Sequence, residues 1–196
     1  MNLDEHQHHP KYQALINTGK EKFWKYGVKR VSVEEICKAA GVSKMTFYKF
    51  FGNKIELAKH IYGKLVDEGM KKFYTLLNQD TSAANKIKGM IQMKVDAVHN
   101  ISQEFVKDLY QNPELGLKDY VEEITRESWI TIMEYFREAQ QKGIFRKDLH
   151  PEFLIYYGQK ITEMVTDENL IRVCGSTEEV IKELTIFFAY GISEHS

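Results

Sequence analysis

The stretch that most restricts the fold runs from Val31 to Leu57, VSVEEICKAAGVSKMTFYKFFGNKIEL. Between Ser32 and Asn53 it carries three helix starts. Ser32 and Glu35 have capping-box spacing, in which the hydroxyl accepts from the Glu35 N–H and the carboxylate returns to the N–H of Ser32. Ile36, Cys37 and Ala40 then supply the apolar face of a helix two turns long. Gly41 stands where a left-handed residue ends that helix without steric penalty. Val42 fills the angle that follows, Ser43 caps a second helix, and Asn53, with Glu56 three residues on, caps a third. Helices this short do not persist alone, so they must pack on one another and on the segment before them. The spacing predicts a tri-helical unit with a helix-turn-helix at its centre. An ordinary helical hairpin with a solvated lysine face remains the alternative.

A helix-turn-helix sends its second short helix into the major groove while the first crosses the DNA backbone. Here the entering helix is residues 44–50. Phe47 and Phe51, four apart, are expected to face the core. Lys44, Thr46, Tyr48 and Lys49 are then left outward, with donors for phosphates and base edges. Lys54, at the start of the next helix, adds its charge to the positive end of the helix dipole, an expected phosphate site. The charge distribution agrees with this. Residues 1–54 hold ten Lys and Arg against five Asp and Glu, whereas residues 55–196 hold seventeen against twenty-three, although the whole chain carries only −1. A basic head on an acidic body suits a head that meets a polyanion.

The remainder reads as helix throughout. No segment sustains a two-residue alternation, and the three prolines, Pro10, Pro113 and Pro151, stand where helices begin or end. About nine helices are expected, at residues 10–26, 33–40, 44–50, 54–77, 83–100, 102–111, 117–142, 151–172 and 176–192. The fold class is all-α: a frayed tail over residues 1–9, a DNA-binding domain over 10–54, and a helical bundle over 55–196. The two cysteines, Cys37 and Cys174, lie far apart and suit a reducing compartment. With no apolar leader and no run long enough to cross a bilayer, a cytoplasmic protein without membrane attachment is expected. No metalloprotease, P-loop or nucleophile-elbow motif is present, and no Cys/His pair has ligand spacing. His6, His8 and His9 fall in the tail, where weak metal binding at most is expected. Neither a catalytic role nor a cofactor or metal is therefore assigned.

The run from Ser32 to Leu57 closely resembles the N-terminal signature of the TetR family of transcriptional regulators. The resemblance rests on Ser32, Ile36, Ala40, Gly41, Val42, Ser43, Thr46, Tyr48, Phe51, Lys54 and Leu57 in matching order and spacing. It implies a homodimeric repressor whose third helix reads a palindromic operator in double-stranded DNA. The DNA-binding residues it implies are Ser32, Lys44, Met45, Thr46, Tyr48, Lys49 and Lys54. Three positions depart from the pattern: Met45 replaces a frequent glycine, Cys37 a usual alanine, and Phe50 a common phosphate-contacting His or Tyr.

Beyond residue 60 the resemblance fades and the residues must speak for themselves. Residues 83–142 are rich in methionines and aromatics, which either fill a core or enclose a pocket for a small apolar or amphipathic effector. The candidate lining is Met90, Met93, His99, Phe105, Tyr110, Trp129, Met133 and Phe136. Asp108, Glu104 and Glu163 are carboxylates that could meet a cation, though solvated faces suit them as well. Near the C-terminus, Tyr157, Ile161, Val180, Leu184, Phe187 and Phe188 make two helices apolar on wide faces. Such helices form either an internal core or a four-helix dimer bundle with a second copy. Control by a protein partner, with no small-molecule pocket, is the competing function. A small helical enzyme is a more distant one.

Overall fold

The computed structural model describes residues 9–193, apart from the side chains of Ile155, Gln159 and Thr162. The expected tail, with His6 and His8, falls outside that range except for His9. Among the described residues ten α-helices follow in chain order: α1 (Pro10–Tyr26), α2 (Val33–Ala40), α3 (Lys44–Phe50), α4 (Lys54–Leu77), α5 (Ala83–Val98), α6 (Gln103–Tyr110), α7 (Lys118–Gln141), α8 (Phe153–Val165), α9 (Glu168–Cys174) and α10 (Thr177–Ile192). A 3-10 turn at Pro113–Leu115 precedes α7. No strand occurs among the described residues, only an isolated antiparallel bridge between Phe145 and Ser193.

Two compact units emerge. The first takes in the chain to residue 65 together with 101–122, and the second takes in 66–100 and 123 onward. A boundary at 54/55, expected from the sequence, does not divide the packing. The start of α4, the whole of α6 and the first turn of α7 share the core of the head.

That core explains how such short helices persist. Tyr12, Leu15, Ile16 and Phe23 of α1 are buried with Ile36 and Cys37 of α2, Phe47 and Phe50 of α3, and Phe51. Leu57, Ala58 and Ile61 of α4, Phe105 and Leu109 of α6, Leu117 and Val121 complete it. Burying one such large side chain contributes roughly 1.5–3 kcal/mol. Three phenylalanines therefore outweigh the nucleation penalty of the seven-residue α3. Phe50 packs edge-on to Tyr12, centroids 5.5 Å apart, while Phe51 stacks on the same ring.

In the second unit, α10 packs along α5. Its core gathers Leu77, Ile87, Met90, Phe136, Ala139, Phe145, Leu154, Ala189 and Ile192. The buried Lys86 donates to the Leu77 carbonyl at 2.6 Å, satisfying the last turn of α4. The single helix expected over 151–172 is divided into α8 and α9. Asp167 begins α9 by accepting from the N–H groups of Asn169 and Leu170 at 2.8 and 3.0 Å. Gly158 lets the Trp129 ring lie directly on α8, since a Cβ there would stand 2.1 Å from Trp129 Cζ2.

Candidate DNA-binding face and effector site

The caps that delimit the helix-turn-helix are all made. Ser32 Oγ accepts from the Glu35 N–H at 3.2 Å, and the Glu35 carboxylate accepts from the Ser32 N–H at 2.8 Å. These bonds hold the Glu35 carboxyl below the usual range. Gly41 closes α2 in the left-handed region at φ +65°, and Ser43 accepts from the Thr46 N–H at 3.1 Å. Asn53 Oδ1 accepts from Glu56 at 2.9 Å, and the Glu56 carboxylate accepts from Gly52 at 2.8 Å.

With Phe47 and Phe50 buried, one face of α3 is left outward: Lys44, Met45, Tyr48 and Lys49. Met45 is 83% exposed and Tyr48 57%, high values for apolar and aromatic side chains on a helix so well anchored. Lys44 Nζ pairs with Glu34 Oε2 across the turn at 2.8 Å, which raises the lysine pKa and lowers that of the glutamate. Both groups are exposed, so the pair is weak and can exchange for a phosphate. Thr46 differs from expectation. It is half-buried, its hydroxyl 2.9 Å from that of Ser43, so it serves the cap. Ser32 too spends its hydroxyl on the capping box, donating to Glu35 Oε2 at 2.7 Å.

Lys54 has a role that its charge alone did not announce. Its ammonium donates to the carbonyls of Lys29 and Val31 at 2.7 and 2.8 Å, tying the start of α4 to the turn before α2. Burial lowers its pKa. The same turn is held from the other side by Asp108 of α6. This buried carboxylate accepts from the Lys29 N–H at 2.8 Å and from Asn112. Gly27, at φ +79°, is needed there because a Cβ would stand 2.6 Å from Asp108 Oδ2. Ser102 N–H donates to the Trp24 carbonyl at 2.9 Å, and Trp24 lies against Phe105 with ring centroids 4.4 Å apart. Asp108 is thus a structural acceptor within the head, which corrects its reading as a candidate cation ligand.

Residues 15–61 match the family model for bacterial regulatory proteins of the tetR family, the same residues whose caps and core have just been described. Residues 15–61 thus carry the helix-turn-helix of the TetR family. The transcriptional repressor KstR2 of Mycolicibacterium smegmatis is 23% identical to this chain over 148 residues, covering 72% of it and 70% of that protein. The fold is shared with the fatty acid degradation regulator FadR of Bacillus halodurans, at a TM-score of 0.66 and 21% identity. That alignment covers 95% of this chain and 98% of the other. FadR of Bacillus subtilis, solved in complex with stearoyl-CoA, gives a TM-score of 0.65 at 19% identity, covering 92% and 99%.

The expected effector residues do not form one set. Phe105 and Tyr110 belong to the first unit, Phe105 in its core and Tyr110 packed against it. Burial and the hydroxyl of Tyr62 push the Tyr110 pKa well up. His99 ends α5 exposed, 3.4 Å from Glu178. Met90, Met133 and Phe136 are buried in the second unit, and Met93 and Trp129 are half-buried there. Glu163 pairs with Lys160 on the exposed surface of α8. Among the described residues no group of three or more His, Cys, Asp or Glu could hold a metal, and no helix is long and apolar enough to cross a membrane.

One residue was missed. Lys94 of α5 lies one turn from Met90, one turn from Val98 and two turns from Ile87, so it occupies the middle of the buried arc of its helix. It is surrounded by protein, and burial lowers its pKa, yet much of its surface stays accessible. Lys94 is thus accessible on a helix face whose neighbours along the stripe, Met90 and Val98, are buried. Its signal was legible in the sequence: a lysine interrupting the Ile87, Met90, Ile91, Val98 stripe.

The candidate dimer residues also separate. Val180 is fully buried within its own unit, and Tyr157 stacks on Phe188 with centroids 5.2 Å apart. Ile161 and Leu184 are half-buried. Phe187 is 74% exposed, and Ile186 and Tyr190 of α10 and Phe153 and Tyr156 of α8 are exposed with it. Val180 is therefore corrected to a core residue. The outward apolar surface of these helices lies with Phe187 and its neighbours.

Proposed function

We propose that the chain is a homodimeric repressor that binds a palindromic operator through α3 and is released by a small amphipathic effector held in the second unit. The observation that carries the DNA-binding part is the α3 face. Lys44 and Lys49 flank Met45 and Tyr48 on a helix locked by buried phenylalanines, so basic, apolar and hydrogen-bonding groups are offered together. Lysines supply phosphate contacts, while Tyr48 and Met45 are placed for base edges. The effector part is supported by the half-buried Trp129 and Met93 beside the accessible Lys94. It is also supported by a relative of like fold having been solved with stearoyl-CoA. Release would act through α4, whose residues to 65 belong to the DNA-binding unit and whose remainder belongs to the second. A shift there would change the separation of two α3 helices that must match DNA turns of about 34 Å.

The test is fluorescence anisotropy with the DNA upstream of the chain's own gene. Affinity should fall steeply with salt, in proportion to the phosphates contacted. Tyr48→Ala should cost roughly 1–3 kcal/mol on operator DNA and little on random DNA. Salt-independent binding, or an equal loss on both DNAs, would count against this reading of α3.

A further inference from the structure

A protonated lysine at the centre of a buried helix face is expensive to hold, because an ion taken from water loses solvation that apolar neighbours do not replace. Buried charges are accordingly paired as a rule. Lys94 is not: no hydrogen bond or ion pair links it to another described residue, and burial alone displaces its pKa. The contrast with Lys86, two turns earlier on the same helix, is direct, since that ammonium is spent on the Leu77 carbonyl. Lys94 instead keeps accessible surface although protein surrounds it. Met90 stands buried one turn before it and Val98 one turn after, so its neighbours along the stripe of α5 are apolar on both sides. A single fixed cation in an apolar setting fits one ligand chemistry, an anionic group on a lipophilic body.

We infer that Lys94 is the polar anchor of the effector site and that the effector is an amphipathic anion whose carboxylate or phosphate meets the ammonium while its chain lies among apolar residues of the second unit. This rests on the small-effector reading above. Pairing in a low-dielectric site strengthens the attraction and relieves the cost of the unpaired ion. The charge therefore selects an anion over a neutral molecule of the same shape.

The test uses the full chain with three probes of equal acyl length: dodecanoate, 1-dodecanol and lauroyl-CoA. Affinities are measured by calorimetry for the parent and for Lys94→Met and Lys94→Arg. The parent should bind dodecanoate about tenfold or more tightly than dodecanol, a conversion of about 1.4 kcal/mol. Lys94→Met should erase that preference by weakening dodecanoate alone, with dodecanol affinity reporting that the site keeps its shape. Lys94→Arg should restore the preference. Tighter binding of lauroyl-CoA with the same dependence on residue 94 would support the inference and identify the anion as a phosphate. Should Lys94→Met not fold, Lys94→Gln carries the same expectation. A preference that survives in the Met or Gln variant, or parent protein that binds acid and alcohol equally, overturns the anchor and leaves the effector reading standing. Parent protein that binds none of the three overturns both.

Discussion

At the scale of single residues, two lysines show how location decides what a charge does. Lys54 spends its ammonium on two carbonyls of the Lys29–Val31 turn. Lys54→Met should lower stability by about 1–2 kcal/mol and leave the salt dependence of DNA binding unchanged. A thermal melt and a salt titration of the same variant check both. A salt slope reduced by about one would return Lys54 to the phosphates. Lys94 acts in the opposite direction. Its folded pKa lies below the ordinary 10.5, so the unfolded chain binds more protons and the parent gains stability as pH rises from the folded value towards 10.5. Lys94→Met should therefore melt higher at pH 7, and that advantage should shrink as pH rises. Melting curves at pH 7 and pH 10 decide it. Neither role was assigned from sequence, for different reasons. The partners of Lys54 lie more than twenty positions away, whereas Lys94 is marked in the sequence only as a lysine on an otherwise apolar helical stripe.

At the scale of elements, local chemistry made the helix starts readable. Ser32 with Glu35, Ser43, Gly41 and Asn53 with Glu56 act within four residues of themselves, so their roles follow from order alone. Ser32→Ala removes the hydroxyl that accepts from Glu35 and donates back to its carboxylate. It should lower stability by about 1 kcal/mol, measurable by urea denaturation. The carboxylate bonds of Glu35 are present above the ordinary carboxylate range and are lost as pH falls through its depressed folded value. Glu35→Gln should accordingly flatten the acid limb of a stability profile. The break between α8 and α9 was not legible, because apolar spacing continues past it through Leu170 and Ile171. Only the Asp167 side chain, turned onto two backbone N–H groups, marks the stop.

At the scale of the whole molecule, the sequence conveyed an all-α chain with a basic helix-turn-helix head, but misplaced the division between units. Phe105 and Tyr110 sit in a stretch as rich in aromatics as the residues after it, and nothing local shows that they pack with α1 rather than α5. The exposed aromatics of α8 and α10 are the surface on which assembly is expected. Phe187→Asp should convert dimers to soluble monomers, since Phe187 supports nothing in its own core and a carboxylate there opposes burial in a partner. Light scattering at micromolar concentration would show it, and an unchanged dimer would place the interface elsewhere. The two tryptophans make a different use of the same architecture. Trp24 lies on Phe105 with the Lys20 ammonium over its ring at 5.6 Å, and Trp129 fills the gap left by Gly158. Each compact unit thus holds one indole in its own dielectric surroundings, and emission recorded during heating carries two optical channels, one for the first unit and one for the second.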